Sequence, residues 1–118
     1  MSMLSPQKEF VMAVRAAVFV RYVEFFEENL GPLSSLEKER LRKGIELVFM
    51  SKEVFEKIEE LFVSGAEVAA VAQKLYLGSA VKKAVKAIWG FKKKYEMASM
   101  MSSARYAASP ESEAYWAS

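Results

Sequence analysis

Phe10-Val11-Met12-Ala13-Val14-Arg15-Ala16-Ala17-Val18-Phe19-Val20-Arg21-Tyr22-Val23-Glu24-Phe25-Phe26 is the stretch on which the fold turns. Its apolar run is broken only by Arg15, Arg21 and Glu24. Two arginines near a bilayer centre cost roughly 5–7 kcal/mol on insertion scales, so a membrane span is not expected. The alternative is a helix of a water-exposed bundle. A helix apolar on nearly all sides must be covered on nearly all sides. Either it is the central helix of a compact bundle, or further copies of the chain complete its burial. On the second reading Phe10, Val14 and Phe19 are self-association residues.

The flanks of this stretch read as helix ends. Ser5-Pro6 is an N-cap with proline at the first helical position, and Gly31-Pro32 is a stop, which predicts a first helix over residues 6–30. Ser34 and Glu37 stand in capping-box spacing and open a second helix reaching Met50. Ser51 with Glu53 predicts a third helix, ending near Val63. Ser64 and Glu67 repeat the box for a fourth, closed by Gly78. Ser79 starts a fifth and longest helix that runs to Ser103. The expected fold is all-α: one bundle of four to five helices over residues 1–106, with a long basic C-terminal helix. Residues 107–118 are expected to form an extended arm, with Tyr115 and Trp116 as its self-association anchors.

Composition supports helices and removes most chemistry. The 118 residues include no Cys, no His, no Asp and no Thr, and Asn29 is the only asparagine. Lys, Glu, Ala, Leu and Met favour helices, whereas threonine is a strand former. Lys and Glu enrichment at the expense of Asn, Gln and Cys is also a thermophile signature. Without His or Cys there is no imidazole base, thiol nucleophile or Cys/His zinc site. Gly31, Gly44, Gly65, Gly78 and Gly90 are scattered, so no phosphate loop is present. Glu24, Glu27 and Glu28, like Glu53, Glu56, Glu59 and Glu60, read as solvated helix faces. No enzyme, cofactor, metal or small-molecule substrate is expected. The N-terminus, Met1-Ser2-Met3-Leu4-Ser5-Pro6, shows no secretory leader, so the expected location is cytoplasm or virion.

Charge is segregated along the chain. Residues 1–50 carry seven basic and seven acidic side chains, and residues 51–77 carry three and five. Residues 78–106 carry Lys82, Lys83, Lys86, Lys92, Lys93, Lys94 and Arg105 against Glu96 alone, a net +6. The whole chain is only +2. In one continuous helix Lys82, Lys86, Trp89 and Lys93 form a single stripe, with Lys83, Gly90 and Lys94 beside it. Val81, Ala84, Val85, Ile88 and Phe91 form the opposite, docking stripe. Such a row of ammonium groups neutralises phosphates without reading sequence, and an aromatic among them stacks on bases. The expected partner is nucleic acid, double-stranded DNA in the first instance. The same face would also suit an acidic protein.

Residues 71–85, Val-Ala-Gln-Lys-Leu-Tyr-Leu-Gly-Ser-Ala-Val-Lys-Lys-Ala-Val, resemble the helix-turn-helix of bacterial and archaeal regulators. The resemblance implies a regulator using residues 66–89, with Ala80, Lys82, Lys83 and Lys86 toward the major groove. The supposed reading helix holds no Arg, Asn or Gln, the side chains best suited to base edges. A second resemblance is one of architecture and composition. The over-apolar helix, the basic helix and the terminal arm are similar to the helical capsid proteins of filamentous archaeal viruses, which coat double-stranded DNA. That resemblance implies a self-assembling, DNA-coating virion or nucleoprotein component. A helical adaptor for another protein is the remaining reading.

Overall fold

The computed structural model describes residues 5–107, and these form six helices with no strand among them. They are α1 (Pro6–Leu30), α2 (Ser35–Phe49), α3 (Lys52–Val63), α4 (Val68–Leu77), α5 (Ser79–Ala87) and α6 (Phe91–Ala107). The expected arm, with Tyr115 and Trp116, lies outside the described residues.

Local chemistry explains the first three starts. The Ser5 hydroxyl accepts from the Lys8 N–H and leads into Pro6. Ser34 and Glu37 form both arms of a capping box, the hydroxyl accepting from Glu37 N–H and the carboxylate from Ser34 N–H. The Ser51 hydroxyl accepts from Val54 N–H and separates α3 from α2. The fourth expected cap is corrected. Ser64 ends α3 rather than opening α4, and its hydroxyl donates to the Leu61 carbonyl. Glu67 precedes α4 without a side-chain cap.

The larger correction concerns the fifth helix. It ends at Ala87, and Ile88, Trp89 and Gly90 form an elbow before α6 begins at Phe91. Gly90 has φ +85°, a left-handed conformation that side chains other than glycine's disfavour. The turn brings Phe91 into the core, edge-on to Phe26 with ring centroids 5.3 Å apart. Among the described residues six helices therefore replace the four or five expected, and the stretch read as one long basic helix is divided between α5 and α6.

α1 is the hub, packing against α2, α3, α4 and α6. It buries one stripe, Val14, Val18, Tyr22 and Phe26, at helical i,i+4 spacing. Each such side chain contributes roughly 1.5–3 kcal/mol on burial. Val14 is 0% exposed, so its expected place in self-association is withdrawn: it belongs to the monomer's own core. Phe10 is half-buried against Phe62, with centroids 5.2 Å apart, and Phe19 is half-buried beside Ile45. The opposite side of α1 stays open, with Met12 at 43% and Val20 at 50% exposure. The hub is therefore covered less completely than its composition demands.

α2 runs antiparallel to the stretch that leads from the end of α5 through the elbow into α6. Glu37 meets Lys94, Arg40 meets Trp89, and Gly44 meets Ile88 in succession. A Cβ built on Gly44 would sit 2.3 Å from Ile88 Cδ1, so the glycine makes the notch that the isoleucine fills.

Candidate nucleic-acid interface

The elbow decides where the lysines go. Lys82 and Lys86, four residues apart, lie on the side of α5 that meets α6. Lys86 Nζ stands 4.8 Å from the Tyr95 ring centroid, and Lys82 lines a cleft with the same tyrosine. Trp89 lies on the other side, toward α2, where the Arg40 guanidinium covers its ring at 5.1 Å. The single stripe Lys82–Lys86–Trp89–Lys93 is thus split, because the chain leaves the helix between Ala87 and Phe91. What remains is a bent basic surface around the elbow.

Lys83, Lys86, Lys92 and Lys93 are exposed, and Lys82 is half-buried. Trp89 is 79% exposed. None of these five lysines makes a salt bridge among the described residues. Lys94 is different: it is half-buried, and its Nζ lies 2.8 Å from a carboxylate oxygen of Glu37. The ammonium group beside Glu37, helped by the cap N–H of Ser34, lowers the carboxyl's pKa to about 2. A carboxylate so firmly charged holds Lys94 in the fold, and we remove it from the contact surface.

One cation joins the surface from α2: Arg40 is half-buried over Trp89. The sequence conceals it, because residues 1–50 carry equal numbers of acids and bases. The pairing in space is uneven. Arg42 takes both Glu39 and Glu46, and Glu46 also reaches Arg15, at 4.0 Å. Glu27 pairs with Lys38 at 3.8 Å, and Glu24 with Arg21 at 3.4 Å. Arg40 is left without a salt-bridge partner among the described residues. The signal that could have found Arg40 is its place one turn after Glu37 on the face that meets α5, visible only once α2 and α5 are known to pack.

Neutralising several phosphates needs cations spread over an accessible surface with few competing carboxylates, and this surface meets that need. Trp89 adds an exposed aromatic ring at the elbow, with the Arg40 cation on one face. The joint between α4 and α5 is a single residue, Gly78, whereas a helix-turn-helix has three or four. Ala80 and Lys83 are exposed on α5, while Lys82 turns toward the cleft.

Among the described residues no three acidic side chains converge on a point that would hold a metal ion. No described helix is long and apolar enough to cross a membrane. No protein-family model, curated protein or solved structure matches the chain.

Proposed function

We propose that the chain is a non-enzymatic structural protein that binds nucleic acid through the α5–α6 elbow and assembles with copies of itself. The carrying observation is the set Lys83, Lys86, Lys92 and Lys93, exposed on α5 and α6 on either side of the elbow and in no salt bridge among the described residues. Glu96 is the one acid in this part of the sequence. Arg40 extends the same positive surface from α2. Backbone contacts of this kind position a duplex without reading its bases, which suits a protein that coats DNA.

Self-association is supported by apolar surface that the fold leaves open. Met12 and Val20 on α1 stand exposed, and Ala16, Ala17, Val20, Ala69 and Ala72 line a groove between α1 and α4. A second copy laid there would supply the missing cover of the hub helix. The combination is what the helical capsid proteins of filamentous archaeal viruses would require, and we extend the proposal to a virion or nucleoprotein component.

The test is a gel-shift titration of a random-sequence duplex at low salt, with wild type and with Lys83→Glu/Lys92→Glu/Lys93→Glu. The proposal expects wild type to retard the duplex and the triple variant to lose most of that affinity. Equal affinity of the two proteins would remove the elbow as the interface.

A further inference from the structure

We infer that the cleft between α1, α4, α5 and α6 is a binding site for a small sugar phosphate. The site adjoins the duplex interface proposed above and shares the neighbourhood of Lys86 with it, while Lys83, Lys92 and Lys93 take no part in it. Its chemistry comes from three groups. α6 presents Tyr95, Ser99, Ser102 and Ser103 at i, i+4, i+7 and i+8, which is one face of the helix. α5 adds Lys82, and α1 adds the rings of Tyr22 and Phe25.

The lining selects for charge. No carboxylate or carboxamide borders the cleft, and its one charged group is Lys82, which has no salt bridge among the described residues. Lys86 stands behind one aromatic wall, 4.8 Å from the Tyr95 ring centroid, whereas Arg21, 4.7 Å from that of Tyr76, is paired with Glu24 at 3.4 Å. The ammonium group of Lys82 is therefore what favours an anion.

The lining also selects for hydroxyls. The Tyr22 hydroxyl is already committed, donating to the Tyr76 carbonyl at 3.0 Å. The Tyr95 hydroxyl is engaged with Ser99, which leaves the hydroxyls of Ser102 and Ser103 to donate and accept, as sugar hydroxyls do. Size narrows the class further. The cleft offers about 230 Å³, room for a phosphate that carries a small hydroxylated group. The phosphate group meets Lys82, the sugar hydroxyls meet the α6 face, and the carbon skeleton lies on Phe25.

The experiment is calorimetric titration of the full chain with ribose 5-phosphate, with ribose and inorganic phosphate alongside, repeated for Lys82→Met and Ser102→Ala. Ribose 5-phosphate should bind more tightly than either fragment. Lys82→Met should weaken it by about tenfold or more, as expected when a charged hydrogen bond is lost, and Ser102→Ala by a smaller factor. Absence of binding at millimolar ligand, or unchanged affinity in both variants, overturns the site. Competition by a 5′-phosphorylated tetranucleotide, against its 5′-hydroxyl form, separates two sources of this chemistry: competition supports a site for strand ends, and its absence supports a free metabolite. Duplex binding should survive Ser102→Ala, so failure of this site is distinguishable from failure of the duplex interface.

Discussion

Lys94 Nζ of α6 lies 2.8 Å from a carboxylate oxygen of Glu37 in α2, tying together the first turns of two helices that are far apart in sequence. The same carboxylate closes the α2 capping box on Ser34 N–H. One glutamate thus fixes a helix start and the exit of the elbow.

This arrangement predicts an acid-labile contribution to stability. The Glu37 pKa is lowered from 4.5 to about 2, so the folded state favours the ionised form. The contribution is full above pH 4.5 and is lost as pH falls from 4.5 toward 2. Urea midpoints measured across that interval should drop in wild type and drop less in Glu37→Gln. Parallel pH profiles for the two proteins would show that the pair does not stabilise the fold.

At the alkaline end, Tyr22 dominates. Burial, reinforced by Tyr95 and Tyr76, pushes its pKa well above the usual 10.0, so the folded state favours the neutral phenol. Stability is therefore full below pH 10 and falls as pH rises beyond it. Tyr22→Phe should cost about 1 kcal/mol at neutral pH through the lost hydrogen bond to the Tyr76 carbonyl. It should also flatten the alkaline decline, and thermal melts at neutral and alkaline pH check both expectations.

Gly44 and Ile88 form a steric pair suited to a double-mutant cycle. Gly44→Ala gains about 1 kcal/mol of helix propensity, but its Cβ would lie 2.3 Å from Ile88 Cδ1. Overpacking costs typically about 1–3 kcal/mol, so the single substitution should be neutral or destabilising. In an Ile88→Ala background the same change should stabilise by about 1 kcal/mol. Denaturation of the four proteins reads the coupling directly, and an additive result would mean that the notch does not constrain the α2–α5 approach.

Trp89 offers a probe of the elbow. At 79% exposure, its replacement by alanine should alter folding stability by no more than about 0.5 kcal/mol. If the ring stacks on bases, Trp89→Ala should weaken single-stranded DNA binding by about 1–3 kcal/mol. In a Trp116→Phe background, quenching of the remaining indole fluorescence by DNA reports that contact. Unchanged emission and affinity would exclude stacking.

How far the fold was legible follows from what each signal depends on. Ser5-Pro6, Ser34 with Glu37, and Ser51 act on backbone groups within three residues, so their sequence patterns suffice. Ser64 carried the same pattern and yet capped the preceding helix, because its hydroxyl found the Leu61 carbonyl. The elbow was illegible for a different reason. Helical spacing runs unbroken from Val81 to Phe91, and a glycine within a helical pattern does not by itself announce a left-handed turn. That turn is set by Phe91 reaching Phe26 on α1, across a long stretch of chain. The basic surface was half legible. The excess of lysines was plain in the sequence, whereas the capture of Lys94 by Glu37 and the recruitment of Arg40 depend on how α2 packs.

The most direct test of the central claim is the salt dependence of binding to a random-sequence duplex. Each phosphate contact contributes about 0.9 to the slope of log affinity against log salt. With Lys83, Lys86, Lys92 and Lys93 in contact, the slope should be about −3 to −4 and independent of sequence. Lys92→Gln/Lys93→Gln should reduce its magnitude by about 2. A slope near zero, or one that the two substitutions leave unchanged, would contradict the account.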